Sequence, residues 1–184
     1  VCARCAPSPA CPSRSPTRAR DVDLVILRES TEGLFFSRAS GPSAPAWDGV
    51  VTADMAEETL RITRATTERL CRFAFRLARR RANARGRRGR VTLVDKANVF
   101  RAFAFMRAVF DAVAAEHPES DSAHHYVDAM ALDLVRRPWA FDVLPTENMF
   151  GDILSDLGAG LVGGMGFSPS ADIGDDHAVF QPAH

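Results

Sequence analysis

The chain has 184 residues, 46% of them hydrophobic and 25% charged, with 23 basic and 23 acidic side chains and a formal net charge of zero. This composition suits a globular core of one domain or slightly more, and the charge balance excludes a global electrostatic pull towards nucleic acid or a membrane surface. No run of 18 apolar residues is present and the first twenty residues lack the apolar centre of a secretory signal, so the expected location is cytoplasmic.

Residues 1–20, VCARCAPSPACPSRSPTRAR, are dominated by Pro, Ser, Ala and Arg, a mixture that does not pack a core and is expected to be disordered. The stretch starts at Val and reads as an artefactual leader on a truncated gene product. Cys2, Cys5 and Cys11 lie in it without the second, well-spaced ligand pair that a zinc site needs. Order is expected from Asp21, where the apolar run DLVIL (23–27) reads as a buried parallel strand. Residues 37–49, rich in Ser, Gly and Pro, read as a loop or arm. Between 63 and 82, Leu70, Phe73, Ala74, Leu77 and Ala78 recur at helical spacing, with Cys71 among them as a small buried hydrophobe.

This predicted helix runs into RRRANARGRRGR (79–90), seven arginines in twelve residues. Without interleaved aromatics or a recognition motif, cations at a helix end and in a solvated loop explain it better than a nucleic-acid patch. The strand VTLV (91–94) follows. Residues 100–115 carry Phe103, Met106, Val109, Phe110 and Val113 on one helical stripe. The segment HHYV (124–127) leads into a helix closed by Pro138, and FDVL (141–144) reads as a further strand. A helix over 149–163 carries Phe150, Ile153 or Leu154, Leu157 and Leu161 on one side. Strands and helices alternate, which points to an α/β fold.

GAGLVG (158–163) matches the dinucleotide fingerprint G-x-G-x-x-G, but that fingerprint requires a strand before it and a helix opening after it. Here the glycines end a helix, and the match is rejected.

Asp152 and Asp156 lie four apart on one helix face. Such a pair repels unless a hard divalent cation such as Mg²⁺ or Mn²⁺ lies between them, and on spacing alone two acids decorating the start of a helix are the simpler account. Lys96 is the only lysine beside twenty-two arginines. Unlike arginine, lysine can release its proton when buried or set beside other cations, which makes it a candidate for proton transfer. Arg28 follows the apolar run DLVIL, at the mouth of an open α/β sheet, and its fork suits a substrate carboxylate.

LRESTEGLFFSR (27–38), VDKANVF (94–100), YVDAMALDLVRRP (126–138), TENMFGDILSDLGAGLVGGMG (146–166) and ADIGDDHAVFQPAH (171–184) together resemble the β-decarboxylating dehydrogenases, the family of isocitrate, isopropylmalate and tartrate dehydrogenases. The resemblance implies an isopropylmalate dehydrogenase-like α/β fold, incomplete and mostly its second, dimer-forming domain over 21–163, with an arm at 37–50. Residues 164–184 would begin the return to the cofactor-binding domain. It also implies oxidation of a small 2-hydroxy di- or tricarboxylic acid by NAD or NADP, with loss of CO₂, at sites shared in a homodimer and needing Mg²⁺ or Mn²⁺. By this resemblance Asp152 and Asp156 are metal ligands of one subunit and Asp128 is the ligand from its partner. Lys96 is the proton-transfer lysine reaching across the dimer, and Arg28 clamps a substrate carboxylate. Asn98 contacts the nicotinamide side, and His184 opens the adenosine-binding loop. The apolar faces of helices 100–115 and 149–163 would be dimer surface.

Three features depart from the family pattern. Phe35 stands where a tyrosine is usual, Gln181 stands where a glutamate is usual, and the regions that flank the matched stretch in family members lie outside the chain. A fragment of such an enzyme and a non-catalytic or regulatory copy of the same fold are therefore both kept as readings.

Overall fold

The computed structural model describes residues 2–5, 22–38 and 49–182. Its centre is a seven-stranded sheet of order β6-β5-β7-β2-β1-β8-β9. The strands are β1 (Cys2–Cys5), β2 (Leu24–Arg28), β5 (Gly89–Asp95), β6 (Ser120–Tyr126), β7 (Val143–Thr146), β8 (Pro169–Ile173) and β9 (Ala178–Pro182). From β6 to β2 all neighbours are parallel, whereas β1 runs antiparallel to β2 and β8, and β9 antiparallel to β8. A separate hairpin, β3 (Gly49–Val51) with β4 (Ala56–Glu58), lies outside this sheet.

Helices α1 (Arg64–Arg85), α2 (Arg101–Ala114), α3 (Val127–Arg136) and α4 (Asn148–Val162) link or follow the parallel strands. Side-chain alternation along β2 divides the interior into two cores. Val25 and Leu27 pack with Cys71 and Phe75 of α1 and with Phe103, Met106 and Phe110 of α2. Leu24 and Ile26 pack on the opposite face with Met130 and Leu134 of α3 and with Leu154 and Leu161 of α4. A sheet covered on both faces requires the continuous apolar run that marks β2 in the sequence.

The predicted α/β alternation is present, with corrections of detail. Residues Cys2–Cys5, expected to be part of a disordered leader, form the strand between β2 and β8. Ladder hydrogen bonds come from the backbone, so a segment poor in large apolar residues can still pair between two open strand edges. The rest of the predicted leader, residues 6–20, lies outside the described residues. Residues 49–51 pair with β4, so the predicted arm ends in a hairpin. The strand expected at 141–144 is shifted to Val143–Thr146, because Phe141 caps one core and Asp142 takes an ion pair.

On α1 the fully buried residues are Thr67, Cys71, Ala74, Phe75 and Ala78, while Leu70, Phe73 and Leu77 lie on a half-covered flank. The core-facing stripe is rotated from the predicted one, and Phe75 joins it. Burial also pushes the Cys71 thiol up to about 12, consistent with an inert small hydrophobe. The stripe expected on α2 is buried in full. It packs against α1 and the sheet of its own chain, and the α4 face of Phe150, Leu154 and Leu161 is buried in the same way, so neither predicted face is available as a subunit surface, contrary to expectation. On α4 the choice between Ile153 and Leu154 resolves to Leu154, which is buried, whereas Ile153 is 56% exposed.

The arginine-rich segment is mostly structural. Arg81 and Arg85 donate to Asp142, which is buried just before β7, and also pair with Asp23, just before β2. Arg88 pairs with Asp121, and Arg90 donates to the Ala140 carbonyl. GAGLVG lies at the end of α4, where Gly163 takes the left-handed φ of 113° that closes the helix. No helix among the described residues is long and apolar enough to cross a membrane.

Candidate active site at the carboxyl ends of the parallel strands

The candidate residues gather where the parallel strands end, in two clusters. The first is built on β2 and α4. Arg28 closes β2; its Nε donates to Asn148 Oδ1 at 2.8 Å and its Nη1 pairs with Asp152 in the second turn of α4. A Cβ on Gly151 would lie 2.6 Å from Arg28 Cβ, so the small residue of the FGD triplet is what lets this side chain pass. Asn148, 2% exposed, also donates through Nδ2 to the Glu32 carbonyl at 3.0 Å. One buried amide thereby joins the arginine to the loop that follows β2.

That loop is tied down at several points. Glu147, the N-cap of α4, accepts from the Phe150 N–H and from the Leu34 N–H. The Glu29 carboxylate accepts from the Thr31 and Glu32 N–H groups, and the Glu32 carboxylate accepts from Thr63 and Thr66 at the start of α1. The loop delivers Phe35, whose ring lies 5.6 Å from the Arg28 guanidinium carbon. A cation–π contact is available at that position; a phenolic proton is not. Asp156 lies exposed one helical turn beyond Asp152, on the same face.

The second cluster is built on β5, β6 and α3. Lys96, immediately after β5, donates from Nζ to Asp128 Oδ1 at 2.5 Å. This hydrogen bond and the lysine's charge hold the Asp128 carboxyl below its ordinary range. Asp95, fully buried at the end of β5, receives a bidentate pair from Arg107 at 2.7 and 2.8 Å and accepts from the Ala97 N–H. The Arg107 guanidinium lies 5.3 Å from the Tyr126 ring, and the Lys96 ammonium lies 5.9 Å from the same ring. Asn98 is exposed in the turn between β5 and α2, where the Val99 and Phe100 N–H groups both bond the Lys96 carbonyl. His184 lies outside the described residues.

The structure therefore joins Arg28 to Asp152 and Lys96 to Asp128. It does not bring Asp128 to Asp152 and Asp156 within one chain, and no group of three His, Cys, Asp or Glu side chains able to hold a metal exists among the described residues. The donors fit Mg²⁺ or Mn²⁺ in kind, being exposed carboxylates, but two from α4 fall short of the six or so oxygens such an ion takes. Sequence reasoning missed Asn148, Glu147, Asp95 and Arg107. The signal for Asp95 was present, since an acid ending an otherwise apolar buried strand must find a cationic partner.

The isocitrate/isopropylmalate dehydrogenase family model matches residues 2–184. The chain belongs to this family. The match begins at the first strand, so it includes the stretch expected to be a leader. The chain is 44% identical over 165 residues to the 3-isopropylmalate/3-methylmalate dehydrogenase of Methanocaldococcus jannaschii, covering 89% of this chain and 46% of that protein. It is 39% identical over 171 residues to the isocitrate dehydrogenase (NADP) of Thermus thermophilus, covering 92% of this chain and 32% of that one. In three dimensions it resembles the crystal structure of isocitrate dehydrogenase from Methylococcus capsulatus, with a TM-score of 0.82 at 36% identity, covering all of this chain and 50% of that one. The family comprises NAD(P)-dependent β-decarboxylating dehydrogenases, and this chain spans about half the length of the isopropylmalate dehydrogenases it matches.

Proposed function

We propose that this chain is part of a cytoplasmic, metal-dependent NAD(P)-linked dehydrogenase. It would oxidise and decarboxylate a small 2-hydroxy acid of the isocitrate, isopropylmalate, tartrate or malate type, in a homodimer whose two copies complete each other's sites. The observation that carries this reading is the separation of the two clusters. Arg28, Asp152 and Asp156 offer a carboxylate clamp and two hard donors without a base. Lys96 and Asp128 offer a base and one further donor without a clamp.

In this reading Arg28 exchanges its bond to Asp152 for the substrate carboxylate, while Asn148 keeps the guanidinium aimed. Asp152 and Asp156 of one copy, with Asp128 of the other, would hold Mg²⁺ or Mn²⁺. That ion, when bound, would polarise the 2-hydroxyl and stabilise the charge released by decarboxylation. Released from Asp128, Lys96 would take the substrate's hydroxyl proton with its neutral amine, and the nicotinamide, when bound, would supply the hydride acceptor. Asn98 would face that ring and His184 the adenosine side. With the α2 stripe buried, the subunit surface would fall instead on α3 and α4, where Leu132, Val135 and Ile153 are exposed.

The alternative, a non-catalytic or regulatory copy of the same fold, rests on Phe35, which lies beside Arg28 and has no proton to give. Metal binding is the test. Addition of Mg²⁺ or Mn²⁺ should raise the thermal unfolding midpoint of the dimer, and Asp152→Asn should abolish that rise. A folded dimer indifferent to both ions would end the claim of a retained metal site. Assays of NAD and NADP reduction with the four candidate acids then separate enzyme from regulator, and residues 1–184 alone are expected to give none.

A further inference from the structure

β6 is the outer strand of the sheet and runs beside β5, with Thr92 opposite Ala123. A cavity of about 710 Å³ opens along this pair, on the face that α3 covers. Val94, two residues beyond Thr92 and so on the same face, packs with Leu134 and Phe141 in the second core. Towards the amino ends of the strands that packing stops. Ala123 is too small to close the gap, and Thr92, 4% exposed, is left on the floor. Its hydroxyl has no hydrogen-bond partner among the described residues, so it is open to an acceptor that enters the cavity.

The mouth carries two arginines. Arg90 donates from Nη1 to the Ala140 carbonyl at 3.0 Å, and the Ala140 N–H bonds the Arg137 carbonyl at 3.0 Å, so both arginines flank the one turn that follows α3. Arg137 uses one nitrogen on Asp133, and among the described residues Arg90 has no carboxylate partner. The acids nearby are already paired, Asp121 with Arg88 and Asp133 with Arg137 and His125. The cavity therefore faces unused donors from its floor and from both sides of its mouth.

None of Arg28, Lys96, Asp128, Asp152 and Asp156 lines it, and Thr92 precedes Lys96 by four residues, roughly 13 Å of strand. Asp133 and Arg137 also lie on the side of α3 away from the exposed Leu132 and Val135, so a subunit contact through those two leaves the mouth open.

We propose that this cavity binds a phosphoryl group, as inorganic phosphate or as the end of a small phosphate monoester. Its oxygens would accept from the Thr92 hydroxyl below and from the Arg90 and Arg137 forks above. Donors arriving from three directions suit a tetrahedral oxyanion better than a planar carboxylate. Occupancy does not depend on whether the chain is catalytic.

The probes are inorganic phosphate, glycerol 3-phosphate and acetate, titrated into the 184-residue chain at constant ionic strength and followed by the Thr92 amide and arginine Nε–Hε resonances. Phosphate or glycerol 3-phosphate should shift Thr92, Arg90 and Arg137 saturably, and the tighter of the two shows whether the group is taken free or as an ester. Acetate should bind at least about tenfold more weakly, as expected for loss of a charge-assisted hydrogen bond. Arg90→Gln, at an exposed position, and Thr92→Val, which keeps the shape and removes the hydroxyl, should each lose at least about tenfold in affinity for the phosphoryl probe. Thr92→Ser, which keeps the hydroxyl, and Arg80→Gln, on the exposed side of α1, should bind as the parent does. Absence of a saturable shift, equal affinity for acetate, or undiminished binding to Arg90→Gln or Thr92→Val would each overturn the proposal. So would a loss in Thr92→Ser or Arg80→Gln as large as that in Thr92→Val, since packing or unspecific charge would then explain it.

Discussion

Single residues here are held by partners that constrain their chemistry. The Asp133 carboxyl is held well below the ordinary carboxylate range, first by the Arg137 hydrogen bond and then by His125. A depressed folded value means that the stabilisation is fully present above the unfolded value of about 4 and is lost as pH falls through the folded one. Asp133→Asn should therefore be less stable than the parent in urea at pH 7, with the difference closing under strongly acidic conditions. A gap that stayed constant across the titration would remove the carboxylate from the explanation.

Gly33 is a second such point. Its φ is +82°, and a Cβ there would sit 1.9 Å from Glu147 Oε1. Gly33→Ala combines left-handed strain of about 1–2 kcal/mol with displacement of a buried carboxylate that caps α4. A loss of at least about 2 kcal/mol in urea unfolding is expected. Arg28 should move with it, because Asn148 ties the same loop to the arginine.

At the scale of elements, α1 is fastened at its carboxyl end by two arginines that reach the starts of β2 and β7. Arg81 is largely buried in this contact. Arg81→Ala should cost about 1.5–3 kcal/mol, the range for hydrogen bonds to charged groups. Arg80→Ala, one residue earlier on the exposed side, should stay within about 0.5 kcal/mol. Equal effects in a denaturant series would contradict the assignment of the arginine run to structure. The run itself was conspicuous in the sequence, and its solvated reading holds for Arg79 and Arg80 but not for Arg81 and Arg85. Its pairing with Asp23 and Asp142 was not legible, because those acids lie far along the chain and only the sheet brings them together. The α2 stripe was read residue for residue, whereas on α1 the hydrophobic period left two adjacent faces open and the tertiary contacts chose between them.

For the molecule as a whole, the doubly covered sheet was visible in the alternation of apolar strands and amphipathic helices. The strands that mix direction, β1, β8 and β9, were not, since their pairing depends on backbone edges and carries little apolar signature. The candidate site was half legible. Asp152 and Asp156 share a face by helical period alone, and Lys96 stood out by composition, but the Lys96–Asp128 pairing needs β5 and β6 side by side in register.

The same sheet order bears on how the chain comes to be folded. β2 is made well before its parallel neighbour β7, and the contact between Arg28 and Asn148 closes a loop of 120 residues. Until β7 leaves the ribosome, one edge of β2 has no partner and its apolar faces have no cover from α4. Assembly by such long-range closures is slow and exposes aggregation-prone edges while it waits. Chains arrested before Val143 should therefore remain protease-sensitive throughout β2, and those extended past Val162 should become protected in one step. Nascent-chain proteolysis at successive lengths measures this directly, and early protection of residues 24–28 would mean that β2 finds its shelter elsewhere.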